Sequence, residues 1–400
     1  ISLAHDETNT TRPRTASLRA NTMTARYPSR IGLLPAGPGS KAGILLRCRT
    51  MNPARNRWQR RALTWPLLLL GTPILVVVSP LLFGAAALID LVRGPRRLAT
   101  VRTVGMVLSY LVLESLGLLA GFALWLATGG GLAMRSRLSQ DLHHRVQVAW
   151  ADAMLAAICF WFRASIDLEN PTRPGKGPLI VIARHTSFFD ALLPAVFLGV
   201  RKGARIRYVL AAELAWDPCL DLFGQRLPNH FVRRNQAYRE ADAKALGAMA
   251  STVGNDAIVI FPEGTFHTPA RAKRAHKWLW ANEPHRAERL RLDHLLPPRA
   301  TGLTALLDNA PDADLLVMGH QGFEPFGSIR DILAHVPFEH PVRVRTWHMQ
   351  RRDVPPTDPE RMAHIDQSWQ RLDDWVGTPV PLAEVARDAS TTTSPGGTTS

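Results

Sequence analysis

The chain has 400 residues, enough for one large domain or two. Lysine and arginine number 48 against 33 acidic residues, a formal net charge of +15, which favours anionic partners: phospholipid surfaces, nucleic acid, or phosphorylated and CoA-like molecules. The three cysteines, Cys48, Cys159 and Cys219, are scattered with no Cys-x-x-Cys or Cys/His cluster, which argues against a disulfide framework and against a zinc site.

Residues 1–50 are rich in Thr, Arg, Pro and Gly and carry no apolar period, so disorder is the default for them. The segment is read as a flexible extension or as a misplaced start, because Met51-Asn52-Pro53-Ala54-Arg55 makes a more natural beginning. Two long apolar stretches follow, at 63–92 and 104–127. The first is charged only at Asp90, near its end, and the second only at Glu114. Each exceeds the roughly twenty residues needed to cross a bilayer. Residues 51–130 are therefore expected to form a membrane-anchoring helical hairpin, spanning or re-entrant. Both ends are placed on the cytoplasmic side, although Arg93, Arg96, Arg97 and Arg102 in the linker blur the positive-inside signal. Pro73 and Pro80 predict a kinked or re-entrant first helix. Buried core helices of a soluble protein are the alternative. A signal peptide is not supported, since no small-residue cleavage site follows a short apolar core.

Residues 131–176 read as an amphipathic connector, with Trp150, Met154, Leu155, Ile158, Cys159 and Trp161 at roughly helical spacing. Such a helix rests in the membrane interface or packs as an ordinary core helix. From Gly177 strands and helices alternate. Strands are predicted at 178–183, 205–210, 227–233, 256–261, 314–318 and 342–346, and helices at 188–200, 236–253, 269–282, 301–309 and 360–375. The alternation predicts an α/β fold over 177–380, a mostly parallel central sheet flanked by helices. Residues 381–400 are Ser-, Thr- and Gly-rich and are expected to be disordered. No internal repeats are found.

Four short blocks carry the chemistry. His185 follows a strand and Asp190 lies five positions on, a spacing that lets a carboxylate orient an imidazole and the imidazole take a proton from a hydroxyl. Alone, the pair reads better as a helix-start carboxylate beside an idle loop histidine. Phe261-Pro262-Glu263-Gly264-Thr265-Phe266 ends another strand. Glu263 could bond a hydroxyl or hold the turn, Gly264 permits tight turning, and Thr265 could cap the next helix. Arg233 and Arg234 at a strand end suit bidentate phosphate binding, or are solvated surface charges. Pro297-Pro298-Arg299-Ala300-Thr301-Gly302 is a rigid turn entering a helix with a cation beside it.

The order His-x4-Asp, Phe-x-x-Arg, Phe-Pro-Glu-Gly-Thr and Pro-Pro-Arg-x-x-Gly, over about 178–318, resembles the glycerolipid acyltransferases of the 1-acyl-glycerol-3-phosphate acyltransferase and lysophospholipid acyltransferase type. The resemblance implies that 177–380 is an acyltransferase domain. His185 would be the general base on a lysolipid hydroxyl and Asp190 its partner, with direct attack on an acyl thioester and no acyl-enzyme. It further implies that Arg234 binds the acceptor's phosphate, that Glu263, Gly264 and Thr265 line the acceptor site, and that Arg299 and Gly302 shape the donor or headgroup pocket. No metal and no prosthetic group is implied; acyl-CoA or acyl-carrier protein serves as co-substrate. The implied setting is the inner cell membrane, the domain facing the cytoplasm, with a lysophospholipid, the acyl donor and anionic membrane lipids as partners. Nucleic acid is not expected, and oligomeric state is left open.

The chain departs from the pattern at Arg184, where the family has asparagine, and at His230 and Arg233 near the phosphate block. The acceptor therefore stays open between 1-acyl-glycerol-3-phosphate and another lysophospholipid or glycolipid. Two other classes remain. A non-catalytic basic membrane-anchored protein fits the charge but lacks basic patches interleaved with aromatics. An ester hydrolase needs a Gly-x-Ser-x-Gly elbow, which does not occur, and Ser187 reads better as a cap than as a nucleophile.

Overall fold

The computed structural model describes residues 57–94, 96–169, 177–326 and 328–378; the expectations for 1–50 and 381–400 lie outside them. Its strands are β1 (Ile166–Glu169), β2 (Leu179–Ala183), β3 (Ile206–Ala211), β4 (His230–Val232), β5 (Ala257–Ile260), β6 (Asp314–Gln321) and β7 (Val342–Met349). Every residue of β2 and β5 is buried. Strands covered on both faces belong in the middle of a parallel sheet, and the order β1-β7-β6-β2-β5-β3-β4 puts them there. All neighbours pair parallel except β6 and β7, so β1 and β7 run against the other five. The expected mostly parallel sheet flanked by helices is the fold observed.

Side chains alternate across the sheet and feed two cores. Leu179, Val181 and Ala183 face one layer, which includes α3 (Arg137–Phe162) and a short helix α4, Leu192–Pro194 widening into a π-helix at Ala195–Val200. Ile180 and Ile182 face the other layer, built from α6 (Arg239–Ser251), α9 (Ala300–Asn309) and α10 (Asp358–Val376). After β2 the chain leaves through α4 on the first face towards β3. After β5 it leaves through α7 (Pro269–Asn282), α8 (Pro284–Arg289) and α9 on the second face towards β6. Connections that depart to opposite faces open a crevice at the carboxyl ends of the two strands between them, here β2 and β5.

The segment read as a connector is part of this body. Met154, Leu155, Ile158 and Phe162 of α3 are buried in the first core, the packing-helix alternative. Strand β1, within the same segment, pairs with β7 from Ile166 to Glu169, so the sheet starts before 177. Its four residues are too short and too polar to be conspicuous in sequence.

The first two helices are α1 (Arg57–Arg93) and α2 (Ala99–Ala127), and together with α3 they are long and apolar enough to cross a membrane. Helix α1 continues through Pro66, Pro73 and Pro80 for 37 residues. At about 1.5 Å per residue it reaches about 55 Å, well beyond the roughly 30 Å of bilayer hydrocarbon. It leaves Leu67, Leu70, Ile74, Val77 and Leu81 exposed, a large apolar face. Buried Asp90 accepts the N–H groups of Thr100 at 3.0 Å and Val101 at 2.9 Å, satisfying donors that open the first turn of α2.

The hairpin is not a loose tether. Both its helices grip α5 (Pro218–Arg226), a helix that the sequence reading does not contain. Arg60 and Arg61 donate to the two oxygens of Asp221 at 2.6 and 2.5 Å. From α2, Glu114 Oε2 accepts the Cys219 N–H at 3.0 Å, Tyr110 donates to Asp217 at 2.6 Å, and Arg226 donates to the Gly121 carbonyl at 2.6 Å. Leu68, Leu118, Cys219 and Leu222 close a small core of their own. Asp221→Ala would strand a buried guanidinium, at a cost of about 3–5 kcal/mol. Thermal unfolding in detergent should show a Tm several degrees below wild type; an unchanged Tm would mean that the joint carries no stability.

Candidate active site

The carboxyl ends of β2, β4, β5 and β6 lie along one edge of the sheet, and each delivers a polar side chain from its next few residues. His185 follows β2. Its Nδ1 lies 2.9 Å from Asp190 Oδ1. Asp190 precedes helix α4 rather than opening it: Oδ2 accepts the backbone N–H groups of Thr186 at 2.6 Å and Ser187 at 2.8 Å, closing the loop on itself. Ser187 is buried, and its hydroxyl accepts the Phe189 N–H at 3.1 Å. Burial alone would raise the pKa of Asp190. The hydrogen bond from the His185 ring, then the attraction of the His320 ring, outweighs it and holds the carboxyl well below the usual range. A fixed anion at Oδ1 keeps the proton on Nδ1 and leaves the Nε2 lone pair as a base. Nε2 makes no hydrogen bond among the described residues, and the ring lies between Phe261 and Phe266, with centroids 4.4 and 4.3 Å away.

Glu263 sits behind this pair, 2% exposed. Its Oε1 accepts the His185 N–H at 2.8 Å and its Oε2 the Leu296 N–H at 3.1 Å. Of the two roles expected for it, the geometry is that of holding the turn: it ties the His185 loop to the chain before Arg299. Burial pushes its carboxyl up to about 8, against the opposing pull of the His185 N–H, Arg184 and the Leu296 N–H. Gly264 has φ +68°, the left-handed region that glycine tolerates, and a Cβ there would meet the Arg299 guanidinium at 3.0–3.1 Å. Thr265 is half-buried and does not cap the following helix; Thr268 does, its hydroxyl accepting the Arg271 N–H at 3.3 Å. Gly302 lies in the first turn of α9, where a Cβ would press on Ile260 at 3.1 Å.

The two adjacent arginines divide. Arg233 is committed to Asp242, with Nη2–Oδ1 at 2.7 Å and its N–H to Oδ2 at 2.9 Å, and it lies over the Tyr238 ring. Arg234 is exposed, with only Glu213 at 3.5 Å. It gathers with Arg239 and Arg299: desolvation first, then the charges of Arg234 and Arg239, lower the pKa of Arg299. Arg239 itself donates to the Thr301 hydroxyl at 3.1 Å. Three guanidiniums with one loosely held carboxylate make a site for an anion.

Three residues here escape the sequence reading. His320, buried at the end of β6, places Nε2 3.3 Å from Asp190 Oδ2, outside good hydrogen-bond geometry, and its Nδ1 has no partner. Arg184 is buried, donates to the His320 carbonyl at 2.5 Å and pairs with Glu324, clamping β6 to the His185 loop. Arg239 is the third cation. The available signal for His320 was its position at the end of a central strand, but the predicted strand stopped at Met318, two residues short. Among the described residues no group of three or more His, Cys, Asp or Glu is placed to hold a metal ion. A cavity of about 490 Å³, lined in part by Asp141, His144, Asp152 and Arg205, lies where β3 begins, at the other edge of the sheet.

Residues 165–282 match the family model described as Acyltransferase, a span that contains His185, Asp190, Arg234 and Glu263 but ends before Arg299. The chain is also similar to the crystal structure of the 1-acyl-sn-glycerophosphate (LPA) acyltransferase PlsC from Thermotoga maritima, with a TM-score of 0.39 and 14% identity, covering 67% of this chain and 99% of that one. No curated protein matches it. The chain carries an acyltransferase domain and is an acyltransferase.

A carboxyl raised by folding from its ordinary 4.5 to about 8 stabilises the fold fully below its unfolded value and loses that contribution as pH climbs through 8. The Tm advantage of wild type over Glu263→Gln should therefore shrink between pH 5 and pH 9. A constant difference across that range would show that Glu263 does not titrate there.

Proposed function

We propose that the enzyme moves a fatty acyl group from acyl-CoA or acyl-carrier protein to the free hydroxyl of a lysophospholipid, with 1-acyl-glycerol-3-phosphate as acceptor and phosphatidic acid as product. The observation that carries this reading is a buried Asp190 holding His185 with Nε2 free, beside a turn in which Glu263 accepts the His185 N–H and Gly264 lies against the Arg299 guanidinium. An acceptor hydroxyl at Nε2 loses its proton to His185 as its oxygen attacks the thioester carbonyl. Collapse of the tetrahedral intermediate breaks the C–S bond and expels the thiolate, which takes the proton back from the imidazolium. Asp190 stabilises that imidazolium while it exists. The acyl group passes directly, without an acyl-enzyme.

Arg234, Arg239 and Arg299 repel one another until an anion arrives, and the acceptor's phosphate supplies one. Glu263 positions the His185 loop. Gly264 lets the Arg299 guanidinium approach the turn. The arginine cluster favours a phosphate-bearing acceptor over a neutral glycolipid, and other lysophospholipids also satisfy it. The three apolar helices suit a membrane protein, and soluble acyl-CoA or carrier protein places the domain on the cytoplasmic face of the inner cell membrane.

His185→Ala should lower kcat by about 10²–10⁴-fold while membrane attachment and folding persist. Wild-type turnover by that variant, with labelled oleoyl-CoA and a panel of lysolipids, would refute the dyad. Losing one charged hydrogen bond costs about 1.5–3 kcal/mol, roughly 10–100-fold. Arg234→Ala should raise KM for a phosphate-bearing acceptor by that order while KM for the acyl donor stays within about twofold; equal effects on both would reject the phosphate assignment.

A further inference from the structure

Helix α7 is built unlike the other helices around the sheet. Its sequence, from Pro269 to Asn282, carries Arg271, Lys273, Arg274 and Lys277 and no acidic residue. Leu279 is its one buried residue, seated in the second core. On either side of Leu279, Trp278 and Trp280 are 56% and 57% exposed. At about 100° per residue, Lys273, Arg274 and Lys277 share the ridge opposite Leu279, and each tryptophan stands about 80° from that ridge's centre, on opposite flanks. Of the carboxylates that follow, Glu283 between α7 and α8 is held by Arg286 at 3.1 Å, and Glu288 of α8 lies beside His285 at 3.9 Å.

We propose that this face docks on an anionic bilayer surface. A cationic ridge flanked by two indoles is the pattern of a helix lying in the headgroup region: the cations meet lipid phosphates, and the rings sit at the boundary where one edge is apolar and the other wet. A nucleic-acid strand is served less well, because rings on opposite flanks of a helix cannot stack successive bases. The placement has a consequence, resting on the acyl-transfer reading above. Arg271 donates to the Phe266 carbonyl at 3.0 Å, and Phe266 packs on both His185 and the 61% exposed Phe188. Docking α7 thus holds the mouth of the crevice at headgroup level, where a lysolipid hydroxyl lies.

The test uses the full chain in nanodiscs of neutral or anionic lipid containing dibrominated acyl chains, which quench nearby tryptophans. Wild type should lose more fluorescence than a Trp278→Phe/Trp280→Phe variant. The excess should be larger in anionic discs, and should fall with added salt or in a Lys273→Glu/Arg274→Glu/Lys277→Glu variant. Equal quenching of wild type and the double variant in anionic discs overturns the proposal. So does protection of the two rings by single-stranded RNA in place of lipid, which would assign the face to nucleic acid. The triple variant should acylate a bilayer-embedded acceptor several-fold more slowly but a detergent-dispersed one at the wild-type rate; equal slowing of both overturns the proposed role at the membrane. A wild type inactive on both acceptors would count against acyl transfer, and the quenching result would still decide the docking.

Discussion

One carboxylate organises the site. Asp190 is buried, and a buried carboxylate persists as an anion only if its oxygens are met by donors. Two backbone N–H groups and the His185 ring supply them. The same contacts that make the anion tolerable also shape the loop from Thr186 to Asp190 and fix the tautomer of His185. Orientation of the base and folding of the loop are therefore one interaction. The surroundings sustain it: Glu263 holds the backbone of His185 from behind, and Arg184 keeps the end of β6 close enough for His320 to face Asp190.

The sheet explains why these pieces meet. The connections after β2 and β5 depart to opposite faces, so their following loops meet at the strand ends, where the His267 N–H donates to the His185 carbonyl at 3.1 Å. The arginine cluster is added from three further places, the end of β4, the start of α6 and the start of α9. Its cations sit beside the dyad through Gly264, where the absence of a side chain makes room for Arg299. The apolar hairpin belongs to the same body. Asp221 of α5 is held by two arginines of α1, and α5 also carries the contacts of α2. Helices long and apolar enough to cross a membrane are thus packed into the same body as the sheet and are not a flexible tether.

Much of this was legible in the residues. The all-apolar runs of β2 and β5 are long enough, and bounded clearly enough, to read as central parallel strands, and the His-x4-Asp and Pro-Glu-Gly-Thr blocks then fall at strand ends. What was hidden depended on contacts between distant segments. Strand β1 is four residues with a mixed burial pattern, and only its partner β7 makes it a strand. Helix α5 is nine residues, stabilised by the hairpin more than by its own pattern. Arg184 looked like a departure, yet it is a buried clamp whose acceptors, the His320 carbonyl and Glu324, lie more than a hundred positions away.

The amino-acid order by itself determined the α/β layering and the apolar hairpin, because each follows from periodicity, and it set the spacing that lets Asp190 reach His185. Only tertiary structure decided that Glu263 meets two backbone donors, that Asp242 takes Arg233 and leaves Arg234 exposed, and that His320 comes to face Asp190. Those outcomes turn on which distant carboxylate or N–H reaches each group first, and burial then makes that choice costly to undo.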